Sequence, residues 1–345
     1  MFFILLSGHC EKPICYVVDE IDPRNRHIYK RDCNHTDEIK LDKIIRYSCA
    51  SDIHIGASKE IPEKFIFTFF AVNCNEPTTE IFIGTKFSDM GTSGNISFPL
   101  IDIPNKTFSL YPGSGETFEV PLTAVSSESE LNQKVNTAVV IASDEEVVVY
   151  CHHRCHGSNN QRATAFRVRA TVDLGTEYWV ITHQSGGKSQ VGVAATKDHT
   201  NISFNGVYIN RTLNLNKYEI FYFGGSYDLA GTYIVADKPI FVIAGNSADT
   251  SPNPKTNHID SFNKCLPPIK NWGRHFTLVP FPPQSQPFTA KILPSHDNCK
   301  LAYVDGTGSH NFGFIEQRRS KSFKFFNCTE RKFIRGDPRS SIFKR

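Results

Sequence analysis

The densest run of potentially reactive side chains is Cys151-His152-His153-Arg154-Cys155-His156. Thiolate and imidazole groups crowded in this way are zinc-ligand chemistry. The flanking residues are β-prone, however, and successive side chains on a strand point to opposite faces, so the six do not converge on one ion without a turn. No second Cys/His pair stands at finger-like spacing, and disulfides compete for the thiols. The run is assigned no metal, and no cofactor is read anywhere in the chain. Gly187-Lys188-Ser189 ends like a phosphate-binding loop, but the earlier glycine of that motif falls on Thr182, and the segment joins two strands instead of opening a helix. It reads as a hairpin turn. Neither a Gly-x-Ser-x-Gly elbow nor a His-Glu-x-x-His motif occurs. Asp228, Asp237 and Asp260 occupy turn positions, where carboxylates accept from backbone N–H groups. These readings describe a protein that is not an enzyme and has no catalytic residue.

The covalent chemistry is more informative. Ten cysteines, an even number, are scattered along the chain as Cys10, Cys15, Cys33, Cys49, Cys74, Cys151, Cys155, Cys265, Cys299 and Cys328. All ten are disulfide candidates for an oxidising compartment, with the pairing left open. Six Asn-x-Ser/Thr sequons, at Asn34, Asn95, Asn105, Asn201, Asn210 and Asn327, are glycosylation candidates. Met1-Phe2-Phe3-Ile4-Leu5-Leu6-Ser7-Gly8 resembles a truncated signal peptide, shorter than the usual apolar run. No other stretch reaches the roughly 18 uninterrupted apolar residues of a membrane span. The expected product is therefore a secreted glycoprotein without a membrane span. Net charge is only +3 over 345 residues, which argues against nucleic acid as a partner.

The elements that carry these residues read as strands. Phenylalanine is abundant (27) and methionine scarce (2), a balance that suits pleated, half-buried surfaces. Short β-prone runs such as Phe65–Asn73, Thr79–Gly84 and Thr117–Pro121 alternate with Gly/Pro/Asn/Ser turns. Ser126–Asn136 is predicted as the single short helix. One pattern occurs twice: an apolar run, a Ser/Ala-Asp turn and a second apolar run, predicted as a hairpin at Ala138–Tyr150 and again at Thr232–Ala244. Each is followed by a long polar loop and an aromatic strand, Gly175–Val180 in the first and Gly273–Leu278 in the second. A repeat at this spacing, roughly 95–100 residues, predicts a duplicated folding unit. The expected organisation is a truncated signal peptide at 1–8, a Cys-rich leader at 9–60, β units at 61–137, 138–231 and 232–309, and a basic tail at 310–345. No third hairpin of this type follows before the chain stops, so the array is expected to be incomplete and the chain a fragment of a longer one. The alternative is a genuine basic tail that contacts acidic glycans or mucins.

Asp228-Leu229-Ala230-Gly231-Thr232, then Lys238-Pro239-Ile240-Phe241-Val242, Gly245-Asn246, Leu266-Pro267-Pro268 and Trp272-Gly273 together resemble the N-terminal domain family of IgGFc-binding protein. Upstream, Pro112-Gly113 ahead of Phe118-Glu119-Val120-Pro121, and Leu174-Gly175-Thr176-Glu177-Tyr178, extend the resemblance over roughly residues 62–305. Two departures stand out. The family often places a cysteine pair after the Gly-Asn turn, whereas Asn246–Asn263 contains none, and the mucin-like von Willebrand D domains of long members are absent. The resemblance implies a secreted, mucus- or surface-associated binding and scaffold protein. Fc binding itself is not carried over.

The fold expected is all-β, built from tandem β-sandwich-like units, with a β-propeller as the alternative. The function expected is noncatalytic adhesion or binding in mucus, matrix or surface defence, with an extracellular protein or a mucin-like glycan as partner. Recognition is expected from the long loops Cys155–Thr164 and Asn246–Asn263, because loops on a rigid scaffold carry binding residues. Two rival readings are a glycan-processing hydrolase on a β-scaffold and a disulfide-linked structural matrix protein.

Overall fold

Alternation of apolar and polar residues makes strands of most of the chain. The computed structural model describes residues 64–70, 77–85, 91–155, 162–184, 186–249, 260–273, 275–278, 288–297 and 299–305, and strands at 2–6, 14–18, 28–32, 308–315, 321–325 and 332–337. The fold is all-β, and the helices among these residues are short 3-10 turns. The helix predicted over 126–136 shrinks to Glu128–Glu130, where Ser127 closes a capping box with Glu130. Residues His9–Ile61 form a unit of their own, in which Ile14–Val18 pairs antiparallel with Ile28–Asp32.

Two four-stranded antiparallel sheets make a sandwich. One runs in the order Lys64–Phe67, Val139–Ser143, Thr92–Ser97, Lys106–Leu110, the other Arg162–Arg167, Val147–Cys155, Pro77–Thr85, Gly115–Glu119. Their inner faces share one core, with Phe67, Ile96, Phe108 and Ile141 meeting Ile81, Val149, Phe118 and Phe166. The first predicted hairpin is therefore not a hairpin. Val139–Ser143 pairs with Lys64–Phe67 and Thr92–Ser97, while Val147–Cys155 pairs in the opposite sheet. The chain crosses between sheets at Ser143–Glu146, where Asp144 N donates to Ser93 O (2.9 Å) and Glu145 N to Thr92 Oγ1 (3.0 Å).

The second predicted hairpin is not one either. Tyr233–Asp249 is a single 17-residue strand at the centre of an eight-stranded sheet. Its first half pairs with Thr200–Asn205 and Gly175–Trp179, and its second half with Ser189–Ala195 and Asp260–Cys265. The Asp-Lys-Pro turn signal marks the place where partners change. Proline has no N–H to give to a ladder, so it fits where the ladder is handed over. There Asp237 accepts from Asn201 N (2.9 Å), Lys238 Nζ donates to His199 O (2.6 Å), and Thr196 Oγ1 donates to Pro239 O (2.5 Å). A propeller divides its strands into separate four-stranded blades, and this large sheet does not.

The sheet serves two cores. Ala194, Ile220, Tyr222, Phe241 and Ile243 complete the core of the sandwich. Val191, Val193, Phe221, Phe223, Ile240 and Val242 face the other way, into a second cluster with Tyr178, Leu266 and Trp272. Strands buried on both faces lose their polar alternation and read as near-continuous apolar runs; Ser189–Ala195 is buried along its whole length, with Val191–Ala195 its apolar part. Within the second cluster the fully buried Tyr178 hydroxyl accepts from Gly175 N (3.0 Å) and donates to Ile240 O (2.7 Å). A Cβ on Gly175 would stand 2.6 Å from Pro268 Cβ, so glycine is what lets these segments meet.

Three more strands, Gly308–Ile315, Lys321–Phe325 and Lys332–Asp337, lie mainly in the basic stretch 310–345. In the last two of these, Lys and Arg are interspersed with Phe and Ile without a regular period of two, so the charge hides the strands. Phe2–Leu6 pairs parallel with Phe288–Pro294.

Strand Phe288–Pro294 is pinned by a buried cation. Lys291 is 3% exposed; its Nζ donates to Thr182 O (2.6 Å) and pairs with Asp228, which also accepts from Thr182 Oγ1 (2.8 Å) and Ala230 N (3.1 Å). Burial lowers the Lys291 pKa, and Asp228 opposes that shift. Removing one partner of such a pair strands the other charge. In urea denaturation, Asp228→Ala is expected to lower stability by about 2–3 kcal/mol, since Asp228 is partly exposed. Adding Lys291→Met is expected to restore most of the loss.

Candidate binding site

The long connections singled out from the sequence leave from neighbouring stems. Cys155 stands opposite Arg162 on one side and Pro77 on the other, so three strand ends meet at one edge of the sandwich. The strand Asp260–Cys265 lies against Arg162–Arg167: Asn263 N donates to Thr164 Oγ1 (2.9 Å), and the Arg169 backbone N–H bonds the Cys265 sulfur. Both strands advance in the same direction past these two contacts, so residues 162 and 260 begin at the same end. The connections themselves, 156–161 and 250–259, lie outside the described residues. The Thr164–Asn263 contact was invisible in the sequence, because nothing local links two residues 99 positions apart.

A polar layer underlies these stems. His153 is 2% exposed, and its Nδ1 is 2.9 Å from Thr79 Oγ1. Across the large sheet, Asn246 Nδ2 donates to His183 O (2.6 Å), and its Oδ1 accepts from Ala248 N (2.8 Å). Lys188 N donates to Ser247 Oγ (3.0 Å) and Ser247 N to Lys188 O (3.0 Å), so Gly187-Lys188-Ser189 leads into a strand. Each of these bonds satisfies a group that would otherwise be desolvated without a partner. They fix the loop bases before the loops begin.

The Cys/His run behaves as strand alternation requires. Cys151, His153 and Cys155 face inward, while His152 and Arg154 face outward and share Glu80 (His152 Nδ1 3.5 Å, Arg154 Nη2 2.5 Å, both to Oε2). Cys155 is disulfide-bonded. Cys151 and Cys265 are buried free thiols rather than half-cystines. Burial pushes the Cys151 pKa well up and that of Cys265 to about 11, so neither is a ready nucleophile. Cys299 is buried. Cys15 lies in strand Ile14–Val18, and Cys10, Cys33, Cys49, Cys74 and Cys328 fall outside the described residues. Among the sequons, Asn105, Asn201 and Asn210 are exposed, and Asn95 is half-buried in Thr92–Ser97. The Asn201 side chain is engaged by Asp237 and Asn214. Asn34 and Asn327 lie outside the described residues. Asp228 accepts the Ala230 backbone N–H as a turn carboxylate does, whereas Asp237 lies within strand Tyr233–Asp249 and accepts from Asn201 N of the neighbouring strand, and Asp260 opens strand Asp260–Cys265.

Residues 164–325 match the family described as IgGFc binding protein. This stretch contains both stems at the Thr164–Asn263 contact, as well as Tyr178, Pro268 and Trp272. The IgGFc-binding protein of Homo sapiens is 26% identical over 226 residues, which cover 60% of this chain and 4% of that protein. The chain thus spans a small fraction of its relative's length. No solved structure gives a significant match.

The acid response of the polar layer follows from His153. Burial first, and His152 second, hold its pKa down to about 4 from 6.5. The folded form therefore keeps the imidazole neutral. An unfolded histidine takes up its proton below about pH 6.5, a folded His153 only below about 4. Its contribution is complete above 6.5 and is lost as pH falls through that window, by roughly 3 kcal/mol in all. Urea midpoints measured from pH 7 to 4 are expected to fall more steeply in the native protein than in His153→Gln.

Proposed function

We propose that this chain, whose residues 164–325 carry the IgGFc binding protein family's sequence, is a noncatalytic extracellular binding module acting in mucus, matrix or surface defence. The observation that carries the reading is the Thr164–Asn263 contact, which sets the bases of two long connections side by side. A rigid β-scaffold with adjacent, firmly anchored loop bases is how binding surfaces are commonly presented. The disulfide at Cys155 and the exposed sequons at Asn105, Asn201 and Asn210 support passage through an oxidising, glycosylating compartment. The partner is an extracellular protein or a mucin-like glycan. The name of the human relative makes the Fc fragment of IgG a natural first probe, and a purified mucin the second.

The test replaces residues 250–259 by a Gly/Ser run of equal length in the secreted full chain. Affinity for whichever probe binds the native protein is expected to fall at least about tenfold, a change of roughly 1.4 kcal/mol. The unfolding free energy from urea denaturation is expected to stay within about 1 kcal/mol of the native value, since the length of the closed segment is unchanged. Unchanged affinity in the folded variant would place recognition elsewhere and overturn the loop-based reading.

A further inference from the structure

The outer face of the sheet Arg162–Arg167, Val147–Cys155, Pro77–Thr85, Gly115–Glu119 bears a feature that the core does not need. Register sets Arg167 opposite Tyr150, Tyr150 opposite Phe82 and Phe82 opposite Thr117, one row across all four strands. The row spans about 14 Å, three strand spacings of about 4.8 Å. Tyr150 is 44% exposed and Phe82 40%. The Phe82 ring lies over its glycine neighbours. A Cβ on Gly84 would stand 3.1 Å from Phe82 Cε1, and one on Gly115 2.4 Å from Phe82 Cζ. The ring therefore covers two bare stretches of backbone while the residue stays exposed to solvent.

Shielding of glycine backbone explains the lower face of Phe82. It does not explain an exposed tyrosine directly beside it, nor the charge at the end of the row. Arg167 is exposed and has no ion pair or side-chain hydrogen bond among the described residues. On the next row, by contrast, Glu80 stands opposite His152 and neutralises Arg154 from the row beyond at 2.5 Å. The face thus presents two aromatic side chains side by side in register and, at the Arg162–Arg167 edge, one uncompensated guanidinium, with the exposed Glu119 carboxylate on the far edge strand one row away. Aromatic faces attract the C–H-bearing face of a hexose ring, and a guanidinium fork matches a carboxylate. A single cation, not a basic cluster, suits one carboxylate per repeat better than a densely sulfated polyanion.

The geometry points to a binding site on this face for an oligosaccharide containing uronic acid, stacked on Phe82 and Tyr150 with its carboxylate held by Arg167. The site uses a sheet face and none of the loop bases, so it stands or falls separately from the loop-based reading.

The experiment titrates the full chain by calorimetry with a hyaluronan hexasaccharide, neutral chitohexaose and a heparin hexasaccharide. Hyaluronan is expected to bind, with Tyr150→Ala and Arg167→Gln each weakening it about tenfold. Arg167→Gln is also expected to remove the preference over chitohexaose. Both side chains are exposed, so urea midpoints are expected to remain native; should Tyr150→Ala unfold, Arg167→Gln decides alone. Absence of hyaluronan binding, equal affinity for chitohexaose, tighter heparin binding, or affinity that survives both substitutions would each overturn the assignment.

Discussion

The eight-stranded sheet rests on one backbone constraint, that Tyr233–Asp249 must remain a continuous strand. Four other strands pair with it directly, and the remaining three are attached through those. Its inner half offers Phe241 and Ile243 to the sandwich core and Ile240 and Val242 to the opposite cluster. Two hydrophobic cores are therefore joined through one layer of backbone. A break at Asp237-Lys238-Pro239 would part the half paired with Thr200–Asn205 from the half that serves both cores, and side-chain and carbonyl bonds crowd that hand-over point. The Tyr178 hydroxyl adds a second tie at Ile240 O, and through Gly175 and Pro268 it gathers several of the motifs on which the family resemblance rested. Those motifs are thus chiefly architectural, consistent with a match to a relative at only 26% identity.

Composition and alternation made the all-β fold legible, and the order of short motifs made the family resemblance legible. The duplication was less so. Ser143-Asp144 and Asp237-Lys238-Pro239 are both turn-forming by type, yet one is a crossing between sheets and the other a change of ladder partner. Local chemistry specifies a bend; which strand follows it depends on residues such as Ser93 and Asn201, far away in sequence. The run Ile240–Ala244 hid its two-sided burial, because a strand covered on both faces has no polar period to betray it.

The site shows the same division. The alternation expected over Cys151–Cys155 is present in the strand, with inward and outward side chains separated. It did not anticipate that His153 would be buried neutral against Thr79, or that Thr164 would meet Asn263. Such contacts depend on register between strands that are distant in sequence, and register is set by the whole hydrophobic pattern. The exposed row from Arg167 to Thr117 was likewise unreadable as a row until the four strands were aligned.

The inward face of Val147–Cys155 has a consequence for how this protein matures. Cys151 stays reduced inside the core, whereas Cys155, four residues along on the same face, is oxidised. In a nascent chain both sulfurs are equally open to thiol exchange, and so is Cys265. Enclosure in the folded core takes Cys151 and Cys265 out of that exchange, because a buried thiol with a raised pKa supplies little thiolate to attack a disulfide.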